Sequence, residues 1–111
     1  MATLADLRRE KLERALPLLT QRLQLPGVKR ILLFGSLATG QVGPGSDIDL
    51  IVVREDRRRF MERLEEVYRA IAEVGVAADV VVYTPEEMEE LTRTRPFIQQ
   101  ALREGRTLYE A

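Results

Sequence analysis

The stretch Gly35-Ser36-Leu37-Ala38-Thr39-Gly40-Gln41-Val42-Gly43-Pro44-Gly45-Ser46-Asp47-Ile48-Asp49-Leu50 decides how this 111-residue chain folds. It begins where the apolar run 31–34 ends, and its last residues open a second apolar run that continues to residue 53. Short apolar runs bounded by glycine, proline and serine are typical of buried strands. The sequence therefore predicts two strands, over residues 28–34 and 47–53, joined by a glycine-rich segment.

The spacing of Asp47 and Asp49 points to a chemical role. Successive side chains on a strand alternate between its two faces, so both carboxylates point the same way while Ile48 and Leu50 point into the core. Neighbouring carboxylates repel each other unless a cation lies between them. Mg²⁺ takes carboxylate oxygens together with water and substrate phosphates, and a pair of such ions about 3.5–4 Å apart can clamp a phosphoryl transfer. The aspartate pair alone is a weak signal, because an acidic turn at a solvated strand end is the more frequent explanation of an isolated pair.

Gly35-Ser36 follows the first strand directly and suggests a phosphate contact. Glycine lets the backbone approach a ligand closely, and free amides beside a serine hydroxyl can hold phosphate oxygens. A tight turn with a serine that caps a helix is the alternative. The spacing from Gly35 to Gly40 is that of a P-loop, but Gln41 and Val42 occupy the positions of its lysine and its hydroxyl residue. The sequence therefore excludes a P-loop.

The composition limits the available chemistry. The chain has no Cys, His or Trp, which excludes disulfides, thiolate nucleophiles, a Ser-His-Asp triad and nearly every zinc enzyme. With 17 basic and 18 acidic residues, its net charge of −1 gives no general attraction to nucleic acid or to anionic membranes. The first residues are not those of a signal peptide, and no apolar run could span a bilayer. We expect a cytoplasmic protein.

The rest of the chain predicts a small α/β domain. Leucines at helical spacing predict a helix over residues 4–24, in which Pro17 either kinks the helix or begins a second one. An amphipathic helix is predicted over residues 56–74, with Tyr68 in its apolar stripe and Gly75 as its cap. A strand over 77–83, a helix beginning at Thr84, a short helix over 96–103 and a strand over 106–109 follow. We expect a single domain, residues 1–111, in which helices pack on a small mixed sheet.

The pattern formed by Gly35-Ser36, Gly40 and Ser46-Asp47-Ile48-Asp49-Leu50 resembles the signature of the nucleotidyltransferase superfamily related to DNA polymerase beta. The chain most resembles the minimal nucleotidyltransferases (MNT), small domains often paired with HEPN-domain partners. The resemblance implies the nucleotidyltransferase fold and a third acid on a neighbouring strand.

Asp79 matches the position of this third acid. It is a lone charge in an apolar strand, which is costly unless something compensates it. A strand-end aspartate held by backbone amides is the alternative. Glu55 and Asp56 are poorer candidates because they lie beyond their strand, at the predicted start of a helix.

The resemblance also implies a function. A nucleoside monophosphate, most simply AMP from ATP, would move onto a hydroxyl, such as a tyrosine of a HEPN toxin, and the chain would act as the antitoxin. Asp47, Asp49 and Asp79 would be catalytic and would bind two Mg²⁺ ions. Gly35, Ser36 and Ser46 would bind the nucleotide. We expect a hetero-oligomer or a homo-oligomer, with no direct contact to nucleic acid or membrane.

One residue departs from the family pattern. Thr39 stands where many relatives carry an arginine near the triphosphate, and Lys29, Arg30 or Arg54 are the candidate substitutes. Two alternative functions stay open, and the departure at Thr39 supports the first of them. The chain could be a non-catalytic antitoxin that neutralises a HEPN ribonuclease by binding it. It could also transfer a nucleotide to a small molecule such as an antibiotic, although that activity usually calls for a second domain.

Overall fold

The computed structural model describes all 111 residues, and its strands form one mixed sheet. The elements are α1 (Leu4–Arg22), β1 (Val28–Phe34), α2 (Gly35–Thr39), β2 (Ile48–Arg54), α3 (Phe60–Ile71), β3 (Ala78–Tyr83), α4 (Pro85–Thr94), α5 (Pro96–Glu104) and β4 (Arg106–Glu110). The sheet order is β3-β2-β1-β4; β2 and β3 are parallel, and the other two pairs are antiparallel. The predicted mixed sheet packed with helices is confirmed.

The two faces of the sheet are covered unequally. On the closed face, α1 and α3 pack against the strands, and this face contains a cluster of 16 buried apolar residues that includes Ile48, Leu50 and Val80. On the open face, α4 and α5 bury a smaller cluster of six residues, Leu32, Ile51, Val53, Met88, Ile98 and Ala101. Because side chains alternate along a strand, Asp49 and Asp79 belong to the open face.

The starting points of α1 and α4 are set by residues close to them in sequence. Thr3 and Asp6 form a capping box at the start of α1, and this helix runs through Pro17 without a break, so no second helix begins there. Thr84 and Glu87 form a second capping box, so α4 starts where the sequence predicts. No helix is long and apolar enough to cross a membrane.

Three expectations about α3 are wrong. The helix ends at Ile71, short of residue 74, so Gly75 is not its cap. The helix begins at Phe60 rather than at residue 56, because the Asp56 carboxylate accepts hydrogen bonds from the backbone and the side chain of Arg58 and holds that segment in a turn. Tyr68 is 40% exposed instead of belonging to the core. Its hydroxyl accepts a 2.8 Å hydrogen bond from the backbone amide of Val80 on β3.

Candidate active site

The predicted acids lie at one end of the sheet, where β2 and β3 begin and β1 ends. Asp47 directly precedes β2 and Asp49 is its second residue. In the antiparallel pair, Asp49 lies opposite Phe34, so the end of β1 and the start of α2 are beside it. In the parallel pair, Asp49 lies opposite Asp79. Residues 79, 49 and 35 therefore follow one another across the sheet, on β3, on β2 and at the end of β1.

Gly35 is packed against the carboxylate of Asp49. Its φ is +74°, a conformation that side-chain-bearing residues rarely adopt, and a Cβ at this position would lie only 2.3 Å from Oδ2 of Asp49. No other residue could keep this backbone path, because any Cβ would displace the carboxylate. The link between the glycine and the aspartate, 14 positions apart, is thus a direct steric one.

The acids repel one another. Burial raises the pKa of Asp49 above its ordinary value, and the charges of Asp79 and Asp47 raise it further. Asp79 is exposed, whereas Asp47 and Asp49 are partly buried. A cation between them would relieve this repulsion, and carboxylate oxygens are the donors that hard divalent ions prefer. The donor set therefore fits Mg²⁺, although no three acidic side chains converge closely enough here to form a complete metal cage.

Arg8 is a site residue that the sequence did not reveal. Its Nε donates a 2.7 Å hydrogen bond to the carbonyl of Ser46, and its Nη2 lies 3.1 Å from Oδ1 of Asp47. The side chain is only 21% exposed. Arg8 belongs to α1, 39 positions before Asp47, and no local pattern predicts this contact. It is the only cation paired with any of the three aspartates.

The three cations considered as substitutes for the missing arginine lie elsewhere, so that hypothesis is wrong. Lys29 is 4.0 Å from Glu55, Arg30 donates to the hydroxyl of Thr107, and Arg54 pairs with Glu66. Lys29 and Arg30 lie towards the start of β1, which pairs with the end of β2 that carries Arg54. They are therefore directed away from the end of the sheet that carries the aspartates.

The chain matches the profile of the nucleotidyltransferase domain family over residues 12–108. It belongs to this family. Among solved structures, a Sulfolobus solfataricus protein assigned as a nucleotidyltransferase has a similar fold, with a TM-score of 0.65 and 20% identity. The match covers 99% of this chain and 90% of the Sulfolobus chain. A search among curated proteins gives no significant match.

Two further structures share the fold of this nucleotidyltransferase domain. One is a complex of a tri-AMPylated Shewanella oneidensis HEPN toxin with its MNT antitoxin, with a TM-score of 0.58 and 20% identity over 90% of this chain and 73% of the matched chain. The other is a protein assigned as a minimal nucleotidyltransferase, with a TM-score of 0.52 and 28% identity over 95% of both chains.

The serines of the nucleotidyltransferase signature have different surroundings. Ser36 is the second residue of α2, and the first amides of a helix have no partner within it. The hydroxyl of Ser46 accepts a 2.9 Å hydrogen bond from the amide of Gly43 and so closes the turn before Asp47. This contact gives Ser46 a role in shaping the loop. Contacts of either serine with a nucleotide stay predictions.

Proposed function

We propose that this nucleotidyltransferase domain transfers AMP from ATP onto a hydroxyl of a partner protein, a tyrosine of a HEPN toxin, and thereby acts as its antitoxin. The observation that carries the proposal is the presence of Asp47, Asp49 and Asp79 at one end of the open face, beside Gly35. The AMPylated HEPN toxin in complex with an MNT antitoxin of the same fold supports this choice of donor and acceptor.

The three aspartates would hold the two Mg²⁺ ions of the reaction. When bound, these ions supply the positive charge that offsets the charge developing on the transferred phosphoryl group. Gly35 and Ser36 would orient the β- and γ-phosphates through backbone amides and a hydroxyl. Ser46 would act beside them, by contact or by fixing the loop that precedes Asp47.

The chemical step is a substitution at phosphorus. The oxygen of the acceptor hydroxyl forms a bond to the α-phosphorus, and the bond from the α-phosphorus to the bridging oxygen breaks. Pyrophosphate leaves with that electron pair. Asp79 is suited to accept the hydroxyl proton because it is the exposed carboxylate of the three and lies on the edge strand β3, where another protein can approach.

A binding-only antitoxin is the second candidate. It is favoured by the ion pair between Arg8 and Asp47 and by the absence of a converged three-carboxylate cluster. In that case the domain would neutralise its partner by covering it, and the acids would be dispensable.

One pair of measurements separates the two candidates. The protein is mixed with labelled ATP, Mg²⁺ and a HEPN-domain toxin from the same organism, and label on the toxin is followed by gel and mass spectrometry. We expect labelling of a tyrosine by the wild type and none by an Asp47→Asn/Asp49→Asn double variant. A Glu86→Gln/Glu89→Gln double variant is the matched control, because these acids are exposed on α4.

The absence of label, or equal label with the aspartate variant, would overturn the transferase proposal. The second measurement is growth of cells that produce the toxin together with each variant. Protection by the aspartate double variant would favour neutralisation by binding alone.

A further inference from the structure

Tyr68 on α3 contacts the edge of the sheet beside Asp79. Its hydroxyl accepts a 2.8 Å hydrogen bond from the backbone amide of Val80 and donates a 3.3 Å hydrogen bond to the carbonyl of the same residue. Val80 directly follows Asp79 on β3. We infer that Tyr68 is a positioning residue, which holds the start of β3 so that the Asp79 carboxylate meets the acceptor hydroxyl. The inference rests on the proposed function, because it names what fixes the proton acceptor of that reaction.

Asp79 has few other restraints. Its side chain is exposed and forms no hydrogen bond or ion pair, whereas the carboxylate of Asp47 is held by Arg8. The position of the Asp79 carboxylate therefore depends on the backbone of β3. This strand lies at the edge of the sheet, so β2 holds it on one side only. The preceding residues, 72–77, belong to neither a helix nor a strand. A restraint on the outer side of β3 is therefore important for placing Asp79.

The packing of α3 explains how Tyr68 supplies this restraint. Val67 and Ile71 are buried in the core of the closed face, while Tyr68, beside them on the helix, is 40% exposed. Its ring therefore lies at the rim of that face, and its hydroxyl bonds to Val80 on the outer side of the edge strand. A hydroxyl suits this position because it can accept from an amide and donate to a carbonyl at the same time.

Protection of the sheet edge is the alternative role for this contact. An open edge strand can pair with a strand of another chain, and proteins commonly block such edges. Tyr68 occupies both backbone groups of Val80 and would hinder pairing there even if Asp79 had no role. The two roles have different consequences, because edge protection affects self-association, whereas positioning affects the rate of transfer after ATP has bound.

The test starts from Tyr68→Phe, which removes the hydroxyl and keeps the ring. Initial rates of AMP transfer to the HEPN toxin are measured with the full chain and Mg²⁺ over a range of ATP concentrations. We expect kcat to fall about tenfold, the usual effect of losing a group that orients a reacting residue. The KM for ATP should change less than about twofold, because the phosphates are held by other residues.

Tyr83→Phe is the matched control. Tyr83 is the last residue of the same strand, at the end away from the aspartates, and its hydroxyl has no hydrogen-bond partner. Removing that hydroxyl should change neither kcat nor KM.

A double-mutant cycle shows whether Tyr68 acts through Asp79. In an Asp79→Asn background, Tyr68→Phe should lower the residual kcat by less than about twofold, since no carboxylate is left to position. A tenfold loss in both backgrounds would overturn the inference, because Tyr68 would then act on another part of the site.

Hydrogen exchange of the Val80 amide, followed by NMR, is independent of activity. Tyr68→Phe should speed this exchange at least about fivefold, the factor that corresponds to roughly one net hydrogen bond. Tyr83→Phe should not change it, and unchanged exchange in β1 would show that the fold is intact. Equal exchange at Val80 in the wild type and in Tyr68→Phe would overturn the inference, because the hydroxyl would then not hold this strand.

The remaining results separate this inference from the proposed function. Faster exchange at Val80 with unchanged kcat, with or without self-association of Tyr68→Phe, would overturn the positioning role and leave the proposed transfer intact. No transfer by the wild type would overturn the proposed function, and with it the role of Asp79 that the inference requires. A loss in kcat that depends on Asp79, together with faster exchange at Val80, supports both.

Discussion

The two ends of strand β2 have opposite electrostatics. Its start carries Asp47 and Asp49, which face Asp79 and have Arg8 as their only paired cation. Its end carries Arg54, which with Arg58 pairs with both Asp56 and Glu66. Accordingly the pKa of Asp49 is raised, while the pKa of Asp56 is lowered to about 2. One strand thus holds an under-compensated anionic site at one end and a closed ion-pair network at the other.

This difference separates function from stability along a single element. Repulsion at the start of β2 costs folding free energy and is useful only if a cation and a phosphate arrive there. At the other end, Arg54 donates to the carbonyl of Pro26 and to Glu66, and anchors the loop before β1 and the helix α3. Substitutions at the start should therefore change transfer without unfolding the protein, and substitutions at the end should do the reverse.

The largest effect is expected from Asp49→Asn. Transfer of AMP to the HEPN toxin should fall at least about a hundredfold, since loss of outer-shell partners alone costs metal enzymes roughly 10- to 100-fold. The free energy of unfolding at pH 7 should stay the same or rise, because a neutral amide of the same shape relieves the repulsion by Asp79 and Asp47. Initial rates with labelled ATP and urea unfolding measure the two quantities. A large loss of stability would show that Asp49 is structural.

The second effect tests the other end of β2. Arg54 is 6% exposed, and Arg54→Met would leave the carbonyl of Pro26 and part of the Glu66 carboxylate without their donor. We expect the free energy of unfolding to fall by about 3 kcal/mol. The matched control is Arg69→Met, whose side chain is 75% exposed and pairs only with Glu65, with an expected change within about 0.5 kcal/mol. Equal effects of the two variants in urea unfolding would contradict the distinction.

The sequence predicts those features that depend on residues close to one another along the chain, and it does not predict contacts between residues far apart along the chain. The bounds of β1 and the start of α4 follow from neighbouring residues, and so does the common face of Asp47 and Asp49. The helix α2 was missed because five residues that begin with glycine carry no periodic pattern. The contact of Arg8 with Asp47 and the network around Arg54 depend on residues brought together only by tertiary packing. Nothing nearby in sequence shows that Arg54, one of the three candidate substitutes for the family arginine, belongs instead to an ion-pair network with Asp56 and Glu66.

A third prediction concerns acid stability. The pKa of Asp56 is about 2 when folded, against an ordinary value of 3.8, because the Arg58 side chain donates hydrogen bonds to it. The ionised carboxylate therefore contributes stability that is fully present above pH 3.8 and is lost as the pH falls towards 2. Asp56→Asn should be less stable at neutral pH and should show a flatter loss of stability over this range. Urea unfolding at a series of pH values measures both.

Asp49 should make stability depend on pH in the opposite direction. Its pKa is raised, so the folded protein binds this proton more tightly than the unfolded chain does, and stability falls as the pH rises through the folded value. Removing the group with Asp49→Asn should remove this part of the pH dependence and increase the advantage of neutral over acidic pH. If Asp49→Asn and Asp56→Asn shifted the pH profile in the same direction, the electrostatic contrast between the ends of β2 would be wrong.

The smallest effect is expected at Arg8, the single cation at the anionic end. Arg8 contacts Asp47 and the loop before it, so we regard it as a positioning residue for that carboxylate. Arg8→Ala should slow AMP transfer by about tenfold. It should change the free energy of unfolding by less than about 1 kcal/mol, because the ion pair is partly exposed.

Arg8→Lys separates orientation from charge. A lysine keeps the positive charge but has a single ammonium that is less suited to contact the Ser46 carbonyl and the Asp47 carboxylate together. If orientation matters, Arg8→Lys should be nearly as slow as Arg8→Ala, with the loss mainly in kcat. Arg9→Ala is the neighbouring control, since Arg9 is exposed and makes only a 3.4 Å contact with the carbonyl of Gly40. Faster transfer by Arg8→Ala would mean that Arg8 competes with the metal ions for Asp47, and the anionic end would then be inhibited by its own cation.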